Sequence, residues 1–263
     1  MNKKFEFTGE TKAILGNTLH RIRALISFGK VGAGELGGWI EKEENLDASG
    51  NAWVSGNAQV SGDAQVYGNA QVSGNAQVSG NAQVSGNACV YGDAQVCDDA
   101  QVSGNAQVSG NARVYGDARV SGNAWVYGDA WVFVNARVDG DACVYGDACV
   151  YGIARVYGNA RVYGNARVYG DARVSGNARV YKRGAIFWIS NVGSRDDTAT
   201  FFACRDKKIK VIVGCFFGDL DEFAAAVQKT HGDNTHAKVY RLAIEMAKER
   251  IKMDDMPEES DDG

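Results

Sequence analysis

The sequence predicts an all-β solenoid, a parallel β-helix with three hexads per turn, closed by a small N-terminal cap and a C-terminal α/β cap domain. The first observation is that valine recurs at every sixth position from Val54 to Val180, twenty-two times in one register. The second is that most of these hexads read A-x-V-x-G-[N/D], with a weaker copy at 46–51. The third is composition, because 33 glycines and one proline depart from ordinary globular usage.

Each part of the hexad has a predicted place. The alanine and the valine are two residues apart and therefore point to the same face of an extended chain. The Gly-Asn or Gly-Asp pair tolerates turn dihedrals and supplies a corner. An antiparallel meander of these units would leave one apolar face bare, and no other segment is large enough to cover it. A solenoid with three hexads per turn instead directs every alanine and valine into a narrow core.

The repeated unit Ala-Gln-Val-Ser-Gly-Asn resembles that of the hexapeptide-repeat family of left-handed parallel β-helices. The resemblance implies a left-handed coil over 46–181 and assembly into a homotrimer. Many proteins of this family are acyltransferases and some are carbonic anhydrases, which carry histidines as general base or as metal ligands. Residues 46–181 contain no His, Lys or Glu, and a general base must lie within hydrogen-bond reach of its proton. We therefore predict a protein that is not an enzyme, with no catalytic residue, metal or cofactor, and keep acyl transfer as an alternative.

The variable positions of the hexads form columns, because residues 18 apart stack on one face. These columns carry mainly Gln and Ser in the first half of the repeat and Arg and Tyr in the second half. The predicted surface ladders are Arg119, Arg137, Arg155 and Arg173, and Tyr127, Tyr145, Tyr163 and Tyr181. They could form a platform for planar anionic ligands such as nucleotides. Alternatively, like residues stack well on any parallel ladder, or aromatic faces bury one another in a trimer.

Charge and hydropathy restrict the class of protein. The net charge is -4 and the pI is about 5.5, which gives no electrostatic argument for nucleic acid as a partner. No apolar run approaches the roughly 20 residues of a membrane-spanning helix, and the first residues do not read as a signal peptide. We therefore expect a cytoplasmic protein with reduced cysteines and no membrane partner.

Both ends of the repeat need caps, because parallel stacking leaves open strand edges. Residues 1–45 are the predicted N-terminal β cap, with strand-like stretches at 5–7 and 19–25. Within this cap, Trp39 and Ile40 are placed to plug the first rung of the solenoid.

Residues 182–253 are the predicted C-terminal α/β domain. Its three strand-like runs are 185–190, 198–204 and 209–217. Asp219 followed by Glu222 is typical of a capping box and predicts a helix that begins there. A second helix with one apolar face is predicted over 235–253. Residues 254–263 are an acidic tail that we expect to be disordered.

Two loops of this domain hold more polar groups than a cap requires. In 191–198, glycine and serine amides beside an arginine could hold an anion, and 230–236 contains two of the chain's 3 histidines. The predicted ligand-binding residues are Ser194, Arg195, Asp196, His231, Asp233 and Asn234. A pocket that joins Arg195 to His231 would suit a phosphate. The alternative is ordinary turn and helix-cap chemistry.

These loops also carry a second resemblance. The motifs at 193–198, 214–218 and 230–234 are similar to a C-terminal module of phage and prophage proteins, and 37–43 resembles the N-terminal part of prophage hexapeptide-repeat proteins. The resemblance implies an accessory protein in a bacterial cytoplasm, and an antagonist of host defence would fit that origin. The leading hypothesis is therefore non-catalytic binding of a nucleotide-like, phosphorylated ligand or of a host protein. A structural trimerisation stalk is the second hypothesis, and acyl transfer is the third.

Overall fold

The computed structural model describes residues 3–14 and 16–253, so the predicted acidic tail at 254–263 lies outside the described residues. Three longer strands come first, and they are β1 (Phe5–Ile14), β2 (Asn17–Ala24) and β3 (Leu36–Ile40). Twenty-two short strands follow, one per hexad, from β4 (Trp53–Val54) to β25 (Arg179–Val180). Each consists of the hexad's valine and the residue before it, except that β14 (Arg113–Tyr115) and β17 (Trp131–Phe133) are one residue longer.

These short strands stack into a β-solenoid of about eight turns with three parallel sheets. Face 1 contains every third strand from β4 to β25, face 2 the series from β5 to β23, and face 3 the series from β6 to β24. Val60 lies opposite Val78, 18 residues later, and not beside Val66. The predicted solenoid and its columns are therefore confirmed, whereas the handedness of the coil stays a prediction.

The core of the solenoid is built from the alanine and the valine of each hexad. All of these side chains, from Ala52 to Val180, are fully buried. Burying one valine side chain contributes about 1.5–3 kcal/mol relative to leaving it in water. Since the same two residues recur on every rung, the core is equally narrow along the whole prism.

The corners explain why glycine and asparagine recur. Gly86 adopts φ of +66°, and a Cβ there would lie 2.9 Å from the carbonyl oxygen of Gly104 on the next rung. The side-chain amide of Asn87 donates a hydrogen bond to Oδ1 of Asn105 at 2.9 Å. An aspartate can accept such a bond but has no N–H to continue the series, so the ladder on this edge ends at Asp141.

The N-terminal cap continues face 2. β1 and β2 pair antiparallel, β2 pairs with β3, and β3 pairs in parallel with β5. Ile40 lies opposite Val60, is fully buried and plugs the first rung as predicted. Trp39 points outward, because successive side chains of a strand alternate and Ile40 faces the core. The ammonium of Lys12 lies 4.4 Å from the ring centroid of Trp39.

Lys4 closes the open N-terminal edge. Its ammonium donates hydrogen bonds to the carbonyl oxygens of Asp47 and Ala52 at 3.0 and 2.7 Å, and it lies 4.6 Å from the ring centroid of Phe28. Burial lowers the pKa of Lys4 to about 8. The carbonyl groups that the first rung leaves unpaired are thus satisfied by one side chain.

The C-terminal domain is a four-stranded antiparallel sheet followed by two helices. Its elements are β26 (Ile186–Val192), β27 (Asp197–Ala203), β28 (Ile209–Val213), β29 (Phe216–Asp219), α1 (Leu220–His231) and α2 (Thr235–Arg250). The predicted capping box is present, since Asp219 accepts from the amide of Glu222 and the Glu222 side chain accepts from the amide of Asp219. Phe223, Val227 and Tyr240 are buried between the helices and the sheet.

Four predicted segments differ from the structure. The weaker copy at 46–51 begins out of register with the hexads, because Leu46 pairs with Val66, 20 residues later, and Ala48 is exposed. The second helix ends at Arg250, not at 253.

The run at 209–217 is a hairpin of two strands, because Gly214 adopts φ of +57° and turns the chain between β28 and β29. The loop predicted over 191–198 is largely regular, since β26 extends through Val192 and a 3-10 turn covers Gly193–Arg195.

β27 covers the last rungs of the solenoid. Ala178 forms an antiparallel bridge with Cys204, and the backbone amide of Arg173 donates to Oγ1 of Thr200 at 3.1 Å. The C-terminal domain therefore caps the open edge, and it brings its own polar loops next to the arginine ladder of face 3.

Candidate functional site

A cavity of about 420 Å³ opens between the β28–β29 hairpin, the turn after β26 and the two helices. We call it the cap pocket. Its lining residues are Ser194, Arg195, Asp197, Val213, Gly214, Cys215, Phe216, Phe223, Ala226, Val227, Thr230, His231 and Tyr240. The wall is mainly apolar with a few polar groups, which is the usual composition of a small-molecule pocket.

Close packing of the turn after β26 against α2 positions two of the predicted binding residues. Gly193 adopts φ of +75°, and a Cβ at this position would collide with the hydroxyl of Tyr240. Glycine is therefore required for the approach. Ser194 and Arg195 complete the 3-10 turn, and both line the cap pocket.

His231 enters the pocket from the last turn of α1. Its ring centroid is 5.8 Å from that of Tyr240 and 5.7 Å from that of His236. Burial, and then the charge of Asp197, raises the pKa of Tyr240. The Tyr240 hydroxyl consequently stays protonated at neutral pH and can donate a hydrogen bond.

Asp197 is the carboxylate that shares the cap pocket with Arg195. Its Oδ1 accepts a hydrogen bond from the Thr198 amide at 2.8 Å and lies 3.8 Å from Nη2 of Arg173. The positive charge of Arg173 partly offsets the negative charge of Asp197. The cap pocket therefore holds one cation, Arg195, and one anion, Asp197, that already lies against Arg173, so the Arg195 guanidinium can bind an anionic group on a ligand.

Of the six predicted binding residues, Ser194, Arg195 and His231 meet at the cap pocket, and the other three have structural partners. Asp196 adopts φ of 49° and turns the chain into β27. Asp233 pairs with Arg241 at 2.9 Å. Asn234 caps α2 by accepting from the Ala237 amide. Turn and helix-cap chemistry describes these three residues better than ligand binding.

Beyond the apolar wall, four pocket residues with a polar or thiol side chain are absent from the predicted binding residues. Asp197 and Thr230 lay within the two loops considered but were not singled out. Tyr240 belongs to the apolar face of the second helix and is buried there, and nothing in the sequence places its hydroxyl beside the turn after β26. Cys215 falls within the single strand predicted over 209–217, so the sequence does not place it in a turn. Gly214 between two apolar runs is nevertheless a hairpin signal.

The tyrosine ladder is present on face 1 but is shorter than predicted. Tyr127, Tyr145 and Tyr163 stack with centroid separations of 4.8 and 5.0 Å. Tyr181 is not a surface residue: it is 8% exposed and tilted by 40° against Tyr163. The C-terminal segment covers it, and its hydroxyl donates to the carbonyl oxygen of Lys252 at 3.3 Å.

The arginine ladder is on face 3, where its members lie directly opposite one another on successive rungs. Arg119, Arg137 and Arg155 are exposed, and within 3–14 and 16–253 none of them forms an ion pair. The aspartates that the sequence places nearby therefore do not pair with these guanidinium groups. Arg173 differs, because it is half-buried and lies against Asp197.

The buried and partly buried thiols do not favour nucleophilic chemistry. All six cysteines are free. Burial raises the pKa of Cys89, Cys143 and Cys149, and it raises the pKa of Cys204 to about 12. A thiolate is the reactive form, and these environments disfavour it.

The described part of the chain, 3–14 and 16–253, holds neither a metal-binding cluster nor a membrane-spanning helix. It contains no group of three His, Cys, Asp or Glu side chains that could hold a metal ion. In the same residues, neither helix has the length and apolar character needed to span a membrane.

Comparison with known proteins identifies the repeat. The model of the YdcK β-solenoid repeat matches seven segments, which are 64–80, 76–92, 82–98, 106–119, 118–132, 154–170 and 160–174. All seven lie within the hexads, so this part of the chain is similar to YdcK-type solenoids. No curated protein matches the chain.

Proposed function

We propose that the protein is a non-catalytic binding protein whose cap pocket captures a small phosphorylated ligand. One observation carries the proposal: Ser194 and Arg195, from the turn after β26, and His231, from the end of α1, line one cavity although they are far apart in sequence. Its volume of about 420 Å³ lies within the ordinary range of ligand pockets, roughly 300–1,000 Å³.

The two sides of the pocket fit the two parts of a nucleotide-like ligand. A guanidinium binds phosphate oxygens through two parallel hydrogen bonds, and the Ser194 hydroxyl can add a third. His231 can donate from the other side of the cavity. Phe216, Phe223 and Tyr240 offer ring surface to a flat, less polar group. The shared wall therefore suits a ligand with an anionic end and a planar end.

Binding without turnover fits the residues better than acyl transfer. Residues 46–181 contain no histidine, lysine or glutamate, and the partly buried thiols of Cys89, Cys143 and Cys149 in the solenoid have raised pKa values. His231 and His236 are the remaining candidates for a general base, so turnover of an acyl-CoA by the purified protein, lost in both His→Ala variants, would favour the third hypothesis.

The biological setting of the proposal rests on the resemblance of 193–198, 214–218 and 230–234 to a phage and prophage module. Capture of a nucleotide signal would make the protein a phage accessory factor that opposes host defence in the bacterial cytoplasm, and a host protein is the other partner class. Trp125 and Trp131, 46% and 37% exposed, supply apolar surface that a homotrimer could bury.

A structural stalk is the second candidate function. The regular packing of the solenoid and the capping role of β27 support it, because both would be needed even if no ligand were bound. A stalk predicts that the biological effect survives the loss of the pocket side chains.

Isothermal titration of the full chain with cyclic and linear nucleotides tests the proposal. Arg195→Ala and His231→Ala should each weaken binding at the cap pocket about tenfold, since a charge-assisted hydrogen bond contributes roughly 1.5–3 kcal/mol. Arg137→Ala is the matched control, because it removes an exposed arginine far from the pocket. Nucleotide affinities that stay the same in both pocket variants would contradict the proposal, and no binding by any nucleotide would favour a stalk or a protein partner.

A further inference from the structure

A second cavity, of about 310 Å³, lies where the last rungs of face 2 meet β26 and the end of α2. We call it the junction pocket. Its polar and aromatic lining comes from Tyr151, Arg167, Tyr169, Arg183, Trp188 and Arg250. It shares no lining residue with the cap pocket.

Three guanidinium groups from three separate elements converge on this cavity. Arg167 comes from β23, Arg183 from the 3-10 turn at 183–185, and Arg250 from the last residue of α2. The turn and the helix end are neighbours, because a Cβ at Gly184 would lie 3.8 Å from the carbonyl oxygen of Arg250. The fold itself therefore brings these charges together.

Within the described ranges 3–14 and 16–253, no residue with a carboxylate lines the junction pocket to balance the three arginines. Among the described residues, Arg167, Arg183 and Arg250 form no ion pair, and Glu249 on the adjoining surface pairs with Lys252 at 3.1 Å. The positive charges also act on Cys149 beside the pocket. Burial raises the pKa of its thiol, and the charges of Arg167 and Arg183 oppose this rise. Like charges that line one cavity repel one another, so an anion bound there would stabilise the site.

An aromatic wall stands beside these charges. On face 2, Tyr115, Phe133, Tyr151 and Tyr169 stack at centroid separations of 4.9, 4.9 and 5.0 Å. Trp188 ends the series, with its ring perpendicular to that of Tyr169 at 4.4 Å. Tyr169 keeps 42% of its surface exposed. The wall thus leaves ring surface open next to the guanidinium groups.

We propose that the junction pocket binds a nucleoside monophosphate, with the phosphate on Arg167, Arg183 and Arg250 and the base against Tyr169 and Trp188. Arginine matches the geometry of phosphate oxygens, and aromatic side chains stack with any base without strong sequence preference. This site is separate from the cap pocket and does not depend on the function proposed for it.

The test is titration of the full chain with AMP, GMP, CMP and UMP, with adenosine and inorganic phosphate as half-ligands. Each nucleotide should bind, and each half-ligand should bind more weakly than AMP. Arg183→Ala and Arg250→Ala should each raise the Kd for AMP about tenfold at this site, and added salt should weaken binding. Both arginines are exposed, so the variants should remain folded, which their melting temperatures check.

Variants of other sites distinguish the two pockets. Arg137→Ala should leave AMP binding unchanged, and the Arg195→Ala, His231→Ala double variant should leave the binding that depends on Arg183 and Arg250. If none of the four nucleotides binds at millimolar concentration, or if the Arg183→Ala, Arg250→Ala double variant binds AMP as tightly as the wild type, the proposal is overturned. Phosphate binding as tightly as AMP would equally overturn it, because the aromatic wall would then contribute nothing.

Discussion

The two halves of the solenoid have the same interior and different surfaces. The inward-facing alanine and valine of every hexad are fully buried from Ala52 to Val180. Outside, residues 59–108 carry mainly glutamines and serines, whereas residues 113–181 carry arginines and stacked aromatic rings. The inward positions and the corners are enough to fix the shape, so the outward positions are free to differ. The second half meets the C-terminal domain, and the junction pocket lies at this contact, whereas the cap pocket lies within the C-terminal domain.

The largest expected effect comes from matched core substitutions in the two halves. Val78→Ala and Val144→Ala should each lower the free energy of unfolding by about 2–3 kcal/mol, because each removes two methyl groups from a fully buried site and leaves a cavity. Urea denaturation measures both. Equal losses are expected, and a difference above about 1 kcal/mol would mean that the surface of a rung also determines how tightly its core packs.

A smaller effect on stability is expected from glycine substitutions at two corners of the solenoid, one in each half. Val134 and Asp98 both occupy glycine positions, with φ of 63° and 59°. Val134→Gly should stabilise the protein by about 1 kcal/mol, because a branched side chain is strained in the left-handed region. Asp98→Gly should change stability much less, because it also loses the hydrogen bond from the Gly116 amide to the Asp98 carboxylate at 3.1 Å.

The same urea experiment decides between these corners. A stabilisation of Asp98→Gly as large as that of Val134→Gly would show that the Asp98 hydrogen bond does not offset its backbone strain. No gain from Val134→Gly would contradict the assignment of strain at that corner.

The smallest effect concerns the stacked tyrosines of the second half. Burial, and then the neighbouring Tyr145, raises the pKa of Tyr127 to about 12, above the ordinary value of about 10. The folded state therefore holds this proton more tightly, so its contribution to stability is present below pH 10 and is lost as the pH rises towards 12. Between pH 9 and pH 11, the wild type should lose more stability than Tyr127→Phe, and an identical loss would contradict the shift.

The repeat could be predicted almost completely from the sequence because its rules are local and recur twenty-two times. Val60 must lie opposite Val78 once three hexads close a turn, and the capping box at Asp219 is likewise read from neighbours in sequence. The cap pocket could be predicted only in part. The sequence offered a pocket joining Arg195 to His231 only as a hypothesis beside ordinary turn and cap chemistry. The position of Tyr240 depends on its packing against Gly193, which no local pattern reveals.

The junction pocket shows the same limit more clearly. Arg183 lies in a short turn and Arg250 at the end of a helix that was predicted to continue to 253. Neither position has a periodic signal that links it to Arg167 on face 2. Their convergence depends on how the C-terminal domain sits on the last rungs, and that placement comes from contacts between distant segments such as Ala178 and Cys204.

Under both proposals, ligands bind in the pockets and not on the solenoid surface. The most direct test replaces the exposed arginines of face 3 by glutamine, the residue found at the same positions in the first half. A triple variant with Arg119→Gln, Arg137→Gln and Arg155→Gln removes the exposed ladder and leaves the pockets intact. Calorimetric titration with nucleotides should give Kd values within about twofold of the wild type, whereas Arg195→Ala with His231→Ala should weaken cap-pocket binding at least tenfold. Loss of binding in the triple variant, with full binding in the pocket variant, would place the ligand on the solenoid surface and contradict the account.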